Sequence, residues 1–276
     1  MTAAAHWNDI PAHDWQGGAI DCGRCAHRAL QADGGCSIGS ACVEDAYARR
    51  IDRFFHRHPQ LANDHLQHPY FEVRAIAARH ADPFRLKALM HDPDETVRLQ
   101  VALRLPQRLL REMRSDEHRE VRIRVAQCLA VELLASMLDD DDYQVRAMVA
   151  RRLPQALLPA LIGDADAIVR REVARRVAMP ALRRLVHDAE ADVRRLVAER
   201  LPPHLLGVFV DDVDLLVRWE AAHRALGPAL IRFTHDPEPE IRQRARQRLD
   251  EQAGQHAPAD DAAGPLSPLT TEPEHG

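Results

Sequence analysis

Cys22, Cys25, Cys36 and Cys42 place four thiols within 21 positions, and the fifth cysteine of the 276-residue chain, Cys128, lies far from them. Thiols gathered as Cys-x2-Cys-x10-Cys-x5-Cys bind metal, form disulfides or carry out redox chemistry. Four thiolates satisfy either a tetrahedral zinc or an iron–sulfur cluster. Structural zinc sites tend to use two close pairs, and here only Cys22 and Cys25 form one; the common ferredoxin spacings are absent as well. Spacing alone therefore leaves zinc and cluster both open. Gly23, Gly34, Gly35 and Gly39 suit either, because backbone approaches sulfur closely where no side chain intervenes. His27 is also a ligand type, but four thiols already complete the set, so it reads as a polar helix-surface histidine. Cys128 reads as a packed thiol.

Composition narrows these chemistries. A chain that is 46% hydrophobic and 29% charged, with net charge −5, is expected to be soluble and globular. The N-terminus MTAAAHWNDIPAHDW lacks a basic start followed by an apolar run, and no stretch approaches the roughly 18 apolar residues of a membrane span. The expectation is a cytoplasmic protein with no membrane contact, where reduced thiols favour metal or redox chemistry over disulfides. No Gly-rich phosphate loop, nucleophile elbow or His-Glu-x-x-His helix is present, so no catalytic residue is assigned and a non-enzyme is expected. His56, His58, His65 and His68 show no repeating metal spacing and read as solvated or helix-end histidines.

The elements that must position the cysteines follow from an internal repeat. Val-Arg recurs every 24 residues from Val73-Arg74 to Val217-Arg218, and Ile241-Arg242 continues the series. With valine as position 1, position 6 is alanine (Ala78 to Ala222), position 14 leucine (Leu86 to Leu230) and position 20 aspartate (Asp92 to Asp236). In the unit Asp92 to Ser115, Asp92 is the expected N-cap and Pro93 the first helical residue. Val97, Val101 and Leu105 form one apolar stripe, Ala102 permits close approach of a neighbouring backbone, and Pro106 ends the helix. The remainder, with Leu109, Leu110 and Met113, is long enough only for a short helix of the 3-10 kind. Nothing alternates with period two, so the fold class is all-α without a sheet.

One such unit cannot bury its apolar face alone, and stacking units gives a solenoid. The expected organisation is a cysteine domain over 1–48, a transitional helical unit over 49–72, repeats over 73–249 and a disordered tail over 250–276, rich in Pro, Ala, Gly and acids. The consensus Val-Arg-x-x-Val-Ala-x-Arg-Leu-Pro-x-x-x-Leu-x-x-Leu-x-x-Asp, preceded by four cysteines, resembles the leucine-rich repeat variant family over roughly residues 20 to 249. That resemblance implies a right-handed superhelix of alternating α and 3-10 helices. It also implies a 4Fe-4S cluster on Cys22, Cys25, Cys36 and Cys42, with zinc as the alternative, in a bacterial setting associated with nitrogen fixation.

The arginines admit two readings. They could line a phosphate-binding face, or the position-2 arginine could pair with the position-20 aspartate of an adjacent unit. An aspartate that never fails favours pairing, and the net charge of −5 argues against nucleic acid. The expected function is an interaction scaffold for an unidentified protein partner, redox or nitrogen-fixation related, with a structural or redox-responsive cluster. Electron transfer and a nucleic-acid-binding HEAT-like solenoid are the alternatives.

Overall fold

A repeat opens two residues later than its sequence implies. In the computed structural model, which describes residues 10–255, the helix α4 runs Glu95–Ala102, and Asp94 rather than Asp92 is its N-cap, accepting from the Thr96 amide at 2.8 Å. Asp142, Asp166 and Asp214 cap α7 (Tyr143–Arg152), α8 (Ala167–Arg176) and α10 (Leu215–Arg224) in the same way. Asp92 is not available for capping: its carboxylate accepts two bonds from Arg74 and one from the Asp94 amide. Pro93 consequently lies in the turn rather than in the helix.

After each helix the chain extends near position 10 and then winds into 3-10 turns, as at Pro83–Leu89, Val131–Met137, Gln155–Leu161 and Pro203–Phe209. Two units depart from this, with α-helical α5 (Gln107–Leu110) before the 3-10 turn Arg111–Ser115, and α11 (Pro228–Phe233) in place of a 3-10 turn. Every position-1 valine, position-6 alanine and position-14 leucine is at most 1% exposed, so the register read from the repeat is the register of the core. Among the described residues the only β-type pairings are two isolated bridges, Asp14 with Asp45 and Ser37 with Ala41.

The chain forms two units. The first, through Ala181, holds the cysteine segment with α1 (Arg28–Ala32), followed by α2 (Ala48–Arg57), α3 (Phe71–His80), α4, α5, α6 (Arg119–Cys128), α7 and α8. Successive helices pack on one another: α2 on α3, α3 on α4, α4 on α6, α6 on α7, α7 on α8. With the 3-10 turn Pro59–His65, α2 makes the same α/3-10 pair as the repeats. The second unit, from Leu182, stacks α9 (Ala191–Arg200), α10, α11 and α12 (Pro239–Gln255).

The last helix corrects an expectation. Residues 250–255 are helical rather than disordered: Asp250-Glu251-Gln252-Ala253 stands where all but one of the other repeats carry proline, and α12 continues for 17 residues. The rest of the expected tail, 256–276, lies outside the described residues.

A ladder of ion pairs ties the repeats within each unit. The guanidinium of Arg74 meets Asp92 at 2.8 Å, and the pattern repeats at Arg98–Asp116, Arg122–Asp140 and Arg146–Asp164, then at Arg194–Asp212 and Arg218–Asp236. Each aspartate also presents its own carbonyl to the following arginine, as Asp92 does to Arg98 at 2.7 Å. The pairing reading of the arginines is the one the structure contains. The repeat pattern shows a second arginine at position 8 but not its partner: Arg152, Arg176, Arg224 and Arg248 donate to the carbonyls of Ala126, Ala150, Ala198 and Ala222 in the last turn of the preceding helix. Cations there satisfy carbonyls that the helix leaves open.

Candidate metal centre

Cys22 and Cys25 lie in the turns leading to α1, where Asp21 accepts from the Gly23 amide at 2.9 Å. Cys36 follows α1. Gly34, at φ 71°, ends that helix, and the Gly35 amide returns to the Leu30 carbonyl at 2.7 Å. Gly39, at φ 77°, makes the second reversal, which closes the Ser37–Ala41 bridge and delivers Cys42 against α2, its amide donating to the Arg50 carbonyl at 3.1 Å. Both glycines occupy backbone conformations that other residues adopt at a cost. The four cysteines placed in this way line one cavity, with Ile20, His27, Ile38 and Phe54 in its wall. Cys128, half-buried at the end of α6, is not among them.

The floor of this region is fixed from below. Arg50 and Asp45, each 1% exposed, pair at 3.1 Å, and Arg50 also donates to the Ile10 carbonyl at 2.6 Å, holding the N-terminal segment onto the Cys42 loop. The sulfurs receive backbone donors: the His27 amide reaches Cys25 Sγ at 3.4 Å, and the Glu44 amide bonds to Cys42. Burial pushes the Cys25 and Cys36 thiols up, and Cys42, the most buried, up to about 12. At neutral pH these sulfurs are thiols until a metal offsets their desolvation, so metal loading displaces protons.

His27 is not a surface histidine. It packs between Phe54 and His65, with its Nε2 2.8 Å from His65 Nε2, and His65 is itself buried. Burial holds His65 down at about 4, reinforced by its histidine neighbours. His58 contacts the Gly35 carbonyl at 3.0 Å, and His68 stands 3.9 Å from Glu44. The reading of His27 as a helix-surface histidine therefore fails, and His65 ends its 3-10 turn, as the helix-end reading has it, but is buried rather than solvated; the two tie the cysteine segment to α2 and that turn. The signal that could have located them was the Phe54-Phe55 pair, an apolar anchor followed by His56 and His58.

A family model described as the LRV protein FeS4 cluster matches residues 12–64, a span that includes α2 and Phe54 as well as the cysteine loops. A second, the leucine rich repeat variant, matches residues 71–94 and 143–166. A solved structure described as a leucine-rich repeat variant with a novel repetitive protein structural motif is 40% identical, covers 87% of this chain and 100% of its own, and superimposes with a TM-score of 0.80. The chain belongs to the leucine-rich repeat variant family. Its fold is that family's: α plus 3-10 repeats of 24 residues without a sheet, behind an N-terminal FeS4 cluster domain. A Rhodobacter capsulatus protein, an uncharacterized 27.7 kDa product of the nifB 3' region, is 50% identical over 93 residues. This chain spans 38% of that relative's length.

The residues present fit the cofactor that the family's domain carries. A four-iron cluster takes one thiolate per iron, and the matched segment contains four cysteines, all on one cavity. Among the described residues no three Cys, His, Asp or Glu side chains converge where a single ion could be held. Thiolates that each meet their own iron need no such common point. No helix among the described residues is long and apolar enough to cross a membrane.

Proposed function

We propose that this leucine-rich repeat variant is a non-enzymatic scaffold for a protein partner, and that Cys22, Cys25, Cys36 and Cys42 hold a 4Fe-4S cluster in its N-terminal domain. The observation that carries the ligand assignment is the single cavity lined by all four thiols inside the matched cluster segment. With every iron held by protein, no position is left open for substrate, which supports a structural or redox-responsive cluster. The repeated arginines at positions 2 and 8 are committed to aspartates and carbonyls, which supports a protein partner over nucleic acid. The nifB-region relative supports a partner from nitrogen fixation or its redox supply, and the cytoplasm is the setting proposed for it.

Electron transfer is the second reading. Cys22, Cys25 and Cys36 are only partly buried, so one edge of a cluster there would lie near solvent. When bound, the cluster would supply one-electron chemistry; the chain's part is to hold it and to direct the His27 and Glu44 amides at the sulfurs of Cys25 and Cys42.

The test is protein purified without oxygen, examined by ultraviolet-visible and electron paramagnetic resonance spectra, with iron, sulfide and zinc assayed on the same sample. The expected content is about four irons and four sulfides per chain. Serine at any one of the four positions should abolish stable loading, whereas Cys128→Ser should load normally. Zinc without sulfide would overturn the cluster, and full loading in all four variants would overturn the ligands. Reversible voltammetric cycling of the folded protein would favour the carrier over the scaffold.

A further inference from the structure

We propose that the outer face of α10 is a docking site for a cationic amphipathic protein segment, seated on Leu216 and Trp219 and held at its charged edge by Glu238 and Glu240. The proposal rests on the scaffold reading and adds to it a surface and the chemistry of the partner.

The 24-residue register supplies an internal control. Val217, Ala221 and Ala222 give α10 its core face, so the opposite face is free to be polar. It is not: Leu215, Leu216 and Trp219 are 43%, 56% and 36% exposed, and Val213 in the preceding turn is 91% exposed. On the neighbouring helices of the same unit, the positions of Leu216 and Trp219 are filled by Asp192 and Arg195 on α9 and by Glu240 and Gln243 on α12. The repeat thus folds with charge at these sites, and its stability does not require leucine and tryptophan there. Large apolar side chains kept in water without a folding role mark a contact surface.

The rim of the surface selects the occupant. Leu215, Leu216 and Trp219 share one open hollow with Glu238 and Glu240. The two exposed glutamates stand together on this rim, and their mutual influence raises the Glu238 carboxyl and lowers that of Glu240. A cation placed between them would satisfy both. Nucleic acid and anionic lipid carry the wrong charge for this rim. A second copy docked through the same face would set glutamate pairs against each other. Residues 256–276 of this chain carry four carboxylates and no lysine or arginine, so they too are repelled. What fits is a helix whose apolar stripe, at i, i+3 and i+4, covers Leu216 and Trp219 while a flanking lysine or arginine meets the glutamates.

The experiment uses the full chain and two labelled synthetic helices of the same leucine pattern, one with lysine and one with glutamate as its polar residue, followed by fluorescence anisotropy. The Leu/Lys peptide should bind and the Leu/Glu peptide should not. Leu216→Asp with Trp219→Arg, which copies the residues of α9, should weaken binding about tenfold or more without altering the melting curve. Glu238→Gln with Glu240→Gln should weaken it by a smaller factor and flatten its dependence on salt. Equal binding of the Leu/Lys peptide to wild type and to the α10 variant would overturn the proposal, as would equal binding of both peptides. Self-association of the chain that Leu216→Asp abolishes, or peptide binding that appears only after residues 256–276 are removed, would overturn this choice of occupant. The scaffold reading fails separately, in the voltammetry, and that failure would leave these binding curves unchanged.

Discussion

His65 shows how far a side chain's role departs from its type. It is buried against His27 and Phe55, and desolvation outweighs every other influence on its charge. His27 and His68 oppose its protonation, and Glu44 and Asp64 favour it. A folded-state value of about 4 lies below the ordinary value near 6.5, so the unfolded chain takes up the proton first as pH falls. The stability His65 contributes is therefore complete above about pH 6.5 and is lost on the way down to about pH 4. Urea midpoints of the N-terminal region followed across that window should fall with acid in the wild type and fall less in His65→Gln, whose amide keeps a hydrogen bond but does not titrate. Parallel lines would remove His65 from the account. At this scale the sequence yielded the four thiols, because cysteine is rare and its spacing is visible. It did not yield the histidines, because whether a histidine is buried depends on what folds against it.

At the scale of the element, translation made the fold legible. A residue that recurs at one position through seven units meets the same environment in each, and so recurrence alone assigns the valines, alanines and leucines to the core where they are found. Leu158 tests this directly. It is fully buried in the 3-10 turn Gln155–Leu161, and Leu158→Ala should cost about 2–5 kcal/mol through lost burial and the cavity it leaves. A change below about 0.5 kcal/mol in chemical denaturation would mean that the turn is not packed as described. What translation could not settle was the choice between two equivalent aspartates. Asp92 and Asp94 are both sound caps by type, and only the reach of Arg74 across 18 residues commits Asp92 elsewhere. The partners of the position-8 arginines were hidden for the same reason, since those carbonyls lie 26 residues back.

At the scale of the whole molecule, stability is local where contacts are local. In the first unit the helix packing runs from each helix to its successor, so a helix three places from the cysteine segment touches nothing that the segment touches. The cysteine segment has little of its own to stand on: α1 has five residues and none is buried. It is held by Arg50 and Asp45, by the histidine contacts to α2 and by whatever its four thiols bind. Removing the cluster with a chelator under oxygen should therefore loosen residues 20–43 and leave α6, α7, α8 and the helices of the second unit intact. Hydrogen exchange read peptide by peptide distinguishes the outcomes. Protection should vanish across the cysteine loops, decrease in α2 where Ile51 and Phe54 lose cover, and remain unchanged from α6 onward. Far-UV circular dichroism should fall only slightly, because most helical residues lie in the repeats. Loss of protection throughout the repeats on cluster removal would show instead that the N-terminal domain nucleates the array, and would make the cluster a condition of folding rather than a local attachment to it.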